Sequence, residues 1–201
     1  MGDSITAWTG TAPTGTLNCN SVTTGGANGY VDNLKQRCGD LEFTNLGIGG
    51  HQTSQMLSRF DNQVTNCNYN EVIILGGVND IVSGRTATQI KNSLSSMYQQ
   101  AKQHNLKVIA VTITPWKGHN SPQVDWTPAF QRVTDEVNNW ILDDAQNVDV
   151  RVNAYAALED ANNPDQLNTA YGRITNLHPN QAGQRAIANA IISAAYSNAC
   201  R

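Results

Sequence analysis

The chain has 201 residues, with 13 Lys and Arg against 16 Asp and Glu, a formal net charge of −3, and only 14% of charged residues. One domain of this length buries a sizeable core, its thinly spread Lys and Arg leave no basic face for nucleic acid or anionic lipid, and no apolar run reaches the roughly 18 residues of a membrane span. The other polar positions are rich in Asn, Gln, Ser and Thr, a composition common among exported proteins.

After Met1 the chain opens with Gly2-Asp3-Ser4-Ile5-Thr6, a serine where a first strand should end. A buried strand needs several apolar residues, and Met1 alone precedes Gly2 here. The natural chain is therefore expected to be longer, with its first strand truncated before Met1 and an export signal ahead of it. Without those residues the fold is expected to be poorly stable. Residues 8–29, rich in Thr, Gly and Asn, read as a long irregular connection of the kind that is often functional. β-Rich runs at 41–46, 71–75, 107–112 and 148–152 predict strands. Apolar residues at helical spacing predict helices over 52–64, 87–104 and 125–144. The last has Phe130, Val133, Val137, Trp140 and Ile141 on one stripe and Pro128 in its first turn. A second irregular connection covers 116–124, and 179–197 closes the chain as a helix whose Ile187, Ala190, Ile191 and Ala194 face the core. Strands alternating with helices predict one α/β domain with a parallel sheet over residues 1–201.

Cys19, Cys38, Cys67 and Cys200 are even in number and contain no Cys-x-x-Cys pair. They read as two disulfides of a secreted protein, the alternative being reduced, buried thiols, and their spacing does not choose a pairing. Cys38, Cys67 and Cys200 each follow a helical segment, which puts them at the end of the sheet away from any site on the opposite rim.

Four short motifs fall just beyond strand ends or before the last helix: Gly2-Asp3-Ser4, Gly47-Ile48-Gly49-Gly50, Gly76-Gly77-Val78-Asn79-Asp80 and Leu177-His178-Pro179-Asn180. In an open α/β sheet that rim is where ligands bind. Each has a bland reading: Ser4 ends a turn, Asn79 holds a loop, His178 packs at a helix N-terminus. Their succession favours chemistry, because a serine hydroxyl needs a neighbouring base to become a nucleophile. A histidine accepts and returns a proton near neutral pH. Scattered histidines without a carboxylate cluster give no metal site, and nothing calls for a cofactor.

With these motifs in this order the chain resembles the SGNH hydrolases, also called the GDSL esterase and lipase family, from Gly2 to the final helix. The resemblance implies a flavodoxin-like three-layer α/β/α sandwich with a central parallel sheet. It implies Ser4 as nucleophile, His178 as base, and an oxyanion hole made by the backbone amides of Ser4 and Gly50 and the side-chain amide of Asn79. The aspartate usual three residues before the histidine is here Thr175. A Ser4–His178 dyad is therefore expected, with the imidazole held by a backbone carbonyl or by Thr175. The alternatives are that Asp165 or Asp160 reaches it, or that catalysis is impaired. The expected activity is hydrolysis of carboxylic esters, short-chain acyl or acetyl, through an acyl-enzyme on Ser4. The alternative is a carbohydrate- or lipid-binding protein that keeps the fold. A monomer acting on a small-molecule or carbohydrate ester is expected. Asp3 is read as bonding loop amides, His51 as touching substrate or lying on the surface, and His104 and His119 as surface residues. Trp8, Trp116, Trp126 and Tyr171 are read as rim aromatics, at least two of them serving as core or loop anchors.

Overall fold

Apolar, β-branched runs build the centre of the molecule. In the computed structural model, which describes residues 1–119, 124–173 and 177–200, β1 (Glu71–Ile74), β2 (Lys107–Val111) and β3 (Val150–Val152) form a parallel sheet in that order. Ile73 pairs with Ile109, which pairs with Val150. β2 lies between the other two strands and is covered on both faces, so Val108, Ile109, Ala110 and Val111 are all buried. Gly2 continues the sheet on the β1 side by single parallel bridges to Leu75 and to Gly47. The lateral order is thus residue 47, residue 2, β1, β2, β3, a flavodoxin-like arrangement whose reversal point lies beside Gly2.

Helices cover both faces. Along the chain these are α1 (Ser4–Ala7), α2 (Tyr30–Arg37), α3 (Thr53–Ser58), α4 (Val78–Val82), α5 (Ala87–Gln103), α6 (Pro128–Asn139), α7 (Ala154–Leu158) and α8 (Gln181–Ala195). α2 and α7 pack on α8 at one face, while α3 and α6 pack on α5 at the other. The long α5 starts at a capping box, Thr86 accepting from the Gln89 amide and Gln89 from the Thr86 amide. α6 starts with Thr127 as cap and Pro128 in its first turn. The helices predicted over 52–64 and 125–144 each divide into an α-helix and a closing π-helical turn, Asp61–Thr65 and Trp140–Asp144. A small antiparallel hairpin, β4 (Glu159–Asp160) and β5 (Asn163–Leu167), precedes the last loop.

The strand predicted over 41–46 does not form. This stretch joins the sheet among the described residues by the one bridge between Gly47 and Gly2. Beside it the Met1 amino group donates to the Ile73 carbonyl at 2.9 Å. A cavity of about 70 Å³ opens there between β1 and residues 42–46, lined by Met1, Leu34, Phe43, Tyr69 and Val72 among others. The cysteines pair as Cys19–Cys67 and Cys38–Cys200. The second bridge ties the end of α2 to the chain beyond α8, two helices that already share a face.

Candidate active site

α1 is a single turn held from its first residues. Asp3 caps it, its Oδ1 accepting from the Ile5 amide at 2.9 Å, and the Trp8 amide closes it on the Ser4 carbonyl at 2.8 Å. Gly2 is needed because a Cβ there would lie 2.0 Å from Thr6 Oγ1. Asp3 is wholly buried, and burial pushes its carboxyl up to about 7 against the bond from Ile5, with Asp80 adding to the rise. It therefore serves the turn. Ser4, half-buried, is carried at the start of this turn beyond the sheet.

His178 arrives from the opposite end of the chain. Its loop is closed by an antiparallel bridge between Gly172 and Pro179 and by the Arg173 amide, which donates to the His178 carbonyl at 3.1 Å. Asn180 secures both sides of it. The carboxamide Nδ2 donates to the Ala170 and Gly172 carbonyls, while Oδ1 caps α8 through the Gly183 amide. The result is a Ser4 Oγ to His178 Nε2 distance of 2.9 Å across 174 positions of sequence.

The other two motifs close around this pair. A Cβ on Gly49 would lie 3.9 Å from Ser4 Cβ, so the Gly49-Gly50 turn sits beside the hydroxyl. Gly50 has a φ of +78°, a left-handed conformation that suits glycine. Asn79 Nδ2 donates one proton to the His51 carbonyl at 3.0 Å, which ties the third motif to the second; its other N–H has no acceptor among the described residues. Neither the Ser4 nor the Gly50 amide has an acceptor among the described residues.

Arg59, only 4% exposed, lies behind this turn. It donates to the Leu46 and Gly2 carbonyls, to Gln63 Oε1 and to His51 Nδ1. That last bond makes His51 Nδ1 an acceptor, and burial followed by the Arg59 charge lowers the His51 pKa. His178 is lowered too, by burial first, then by Arg173 and His119.

Several expectations change here. His119 is not a surface residue: it is 8% exposed, packs near Trp116, and acts electrostatically on His178. Trp116 is fully buried, bonding Thr134 and stacking on Phe130, and Trp126 bonds Gln131, so both are anchors. Trp8 alone of the tryptophans adjoins the nucleophile's turn, with Arg173 over its ring. Asp165 accepts from Tyr155, and Asp160 from the Asn162 and Asn163 amides. No carboxylate among the described residues contacts His178, and Thr175 lies outside them. His104 is exposed at the end of α5. Among the described residues no cluster of three or more His, Cys, Asp or Glu could hold a metal, and no helix is long and apolar enough to cross a membrane. The sequence reading missed Arg59 and Arg173. Arg59 carried a signal, a lone cation three residues after Met56 on an apolar helical stripe; Arg173 carried none.

Comparison with known proteins agrees with this geometry. The model of the GDSL-like lipase/acylhydrolase family matches residues 1–186. Sequence comparison with curated proteins finds no match. Among solved structures, a candidate acylhydrolase of Bacteroides fragilis is 25% identical, with 82% of this chain and 79% of that chain covered and a TM-score of 0.69. A member of the lipolytic G-D-S-L family from Veillonella parvula is 19% identical, over 98% and 96%, at 0.69. A catalytic mutant of the acetylxylan esterase Axe2 of Geobacillus stearothermophilus is 21% identical, over 96% and 90%, at 0.66. The family match over nearly the whole chain, on a fold that brings Ser4 to His178, means that the chain belongs to the GDSL-like lipase/acylhydrolase family.

Proposed function

We propose that the protein is a serine esterase that hydrolyses carboxylic esters through an acyl-enzyme on Ser4, with His178 as the other member of a dyad. The observation that carries this reading is the 2.9 Å approach of Ser4 Oγ to His178 Nε2 at the rim of the sheet. As Oγ attacks the ester carbonyl, Nε2 takes the hydroxyl proton. The oxyanion that forms faces the amides of Ser4 and Gly50 and the other N–H of Asn79. Collapse expels the alcohol, which takes the proton from Nε2. A water then gives a proton to the same nitrogen and attacks the acyl carbon, and collapse breaks the bond to Ser4 Oγ, which takes that proton back from Nε2 as the acid leaves.

Short acyl groups, acetyl above all, suit the site better than long chains. Trp116 and Trp126, rim aromatics in the sequence, are used in packing rather than offered to an acyl groove. The disulfides support maturation in an oxidising, extracellular setting. The test is a fluorophosphonate, which phosphonylates an activated serine. The expected result is an adduct on Ser4 in the wild type and none in Ser4→Ala, with an acetyl-to-palmitoyl series of 4-nitrophenyl esters falling in kcat/KM as the chain lengthens. Folded protein with no adduct on Ser4 would leave a binding protein as the reading.

A further inference from the structure

We propose that Arg173, held over the Trp8 ring beside the Ser4–His178 pair, is a specificity-determining residue that takes a carboxylate on the substrate, so that the preferred esters are anionic. The inference rests on Ser4 being the nucleophile and adds the substrate class.

Trp8 is placed at a cost. Its φ of 57° and ψ of −122° lie in a region that bulky residues avoid. The surroundings hold it there: its amide closes α1 on the Ser4 carbonyl, its indole N–H donates to the Ala27 carbonyl at 3.1 Å, and its Cβ lies against Gly29. On this ring lies the Arg173 guanidinium, 4.1 Å from the centroid. The guanidinium is planar and carries its N–H donors in its own plane, in the fork that matches a carboxylate.

Those donors are unused. Arg173 is exposed, and among the described residues its side chain has no hydrogen-bond acceptor and no ion-pair partner. The acids of the Gly2-Asp3-Ser4 and Gly76–Asp80 motifs, Asp3 and Asp80, are buried and engaged with Ile5, Thr53 and Arg85. Arg173 is also close to the dyad, its amide on the His178 carbonyl and its charge felt by the imidazole. Both singled-out histidines of the rim besides His178, His51 and His119, lie on the same side of the balance and add no negative charge. A carboxylate bound at Arg173 would therefore neutralise the larger of the two charges, Arg173 and then His119, that oppose protonation of His178 as Ser4 gives up its proton.

The carboxylate can belong to either half of the ester, and two substrate pairs separate them. For the acyl half, 4-nitrophenyl hydrogen adipate is compared with its methyl ester. For the alcohol half, an O-acetylated uronic acid is compared with its methyl uronate. The expected result is a kcat/KM about 10-fold higher for the charged member of at least one pair, shrinking as salt is raised. In Arg173→Met, which keeps the aliphatic packing on Trp8, the ratio should fall to about 1. Arg173→Lys should retain part of it, and Arg173→Glu should reverse it. Equal rates within both pairs in the wild type, or a preference that survives Arg173→Met, overturns the inference. Fluorophosphonate labelling of the same preparations separates the two layers: a Ser4 adduct with equal rates removes the specificity alone, while no adduct removes the nucleophile on which it rests.

Discussion

At His178 the local charges oppose the state that catalysis needs. Burial, then Arg173 and His119, hold the imidazole below its ordinary value of 6.5, so it is neutral and ready to accept a proton at pH 7. The imidazolium that follows finds no carboxylate among the described residues. Because the protonated form is the one disfavoured, the acid limb of kcat/KM on a neutral activated ester is expected below pH 6.5 in the wild type. Removing the Arg173 cation relieves part of that opposition, so Arg173→Met should move the limb to higher pH. A pH profile of both proteins checks this; a limb that stays in place, or shifts to lower pH, contradicts the electrostatic account. The residue scale also shows what was legible. Ser4, Gly50, Asn79 and His178 each follow a strand end or precede the last helix, and the structure gathers all four stretches at one rim. His119 was read as surface because nothing in its neighbouring sequence reports that its loop turns inward.

Among the elements, α3 does more than cover the sheet. Just beyond it, Arg59 bonds the carbonyls of Gly2 and Leu46, so one buried guanidinium joins the two segments that meet in the sheet by a single bridge. Burial lowers its pKa to about 10, which leaves it charged at neutral pH. Arg59→Met should strip these buried carbonyls of a donor and cost about 3 kcal/mol or more, read from the urea midpoint, since charge-assisted bonds are lost and acceptors left unpaired. Arg59→Lys keeps the charge without the fork and should fall between. A midpoint for Arg59→Met within about 0.5 kcal/mol of wild type would show that the joint is made elsewhere. The same place explains the strand that failed to form. Residues 41–46 have strand composition, but a strand is a pairing, and composition is silent about the partner.

At the scale of the whole molecule, two disulfides cross-link segments far apart in sequence, by 48 and 162 residues. In the chain-entropy model, loops of those lengths stabilise by about 4 and 5 kcal/mol by restricting the unfolded chain. Cys38→Ser with Cys200→Ser should therefore lower Tm at least as much as Cys19→Ser with Cys67→Ser, and reduction of the wild type should lower it further than either. Neither bridge involves the segments that carry Ser4 and His178, so the proposed esterase activity at low temperature should outlast either loss; calorimetry beside an ester assay measures both. Unchanged Tm after reduction would contradict the cross-links' contribution.

The sequence by itself determined the alternation of strands and helices, the parallel α/β class, the order of the four site motifs and the even set of cysteines. These are carried by local pattern: a period of apolar residues reports that an element buries one face, and a motif after a strand reports which rim it occupies. Only the tertiary structure decided which cysteines pair, which strand finds a partner, that Arg59 and His119 are buried, and that Arg173 lies on Trp8 beside a histidine with no carboxylate among the described residues. Each of these is a contact between segments distant in the chain, and a local pattern states that a face is buried without stating against what.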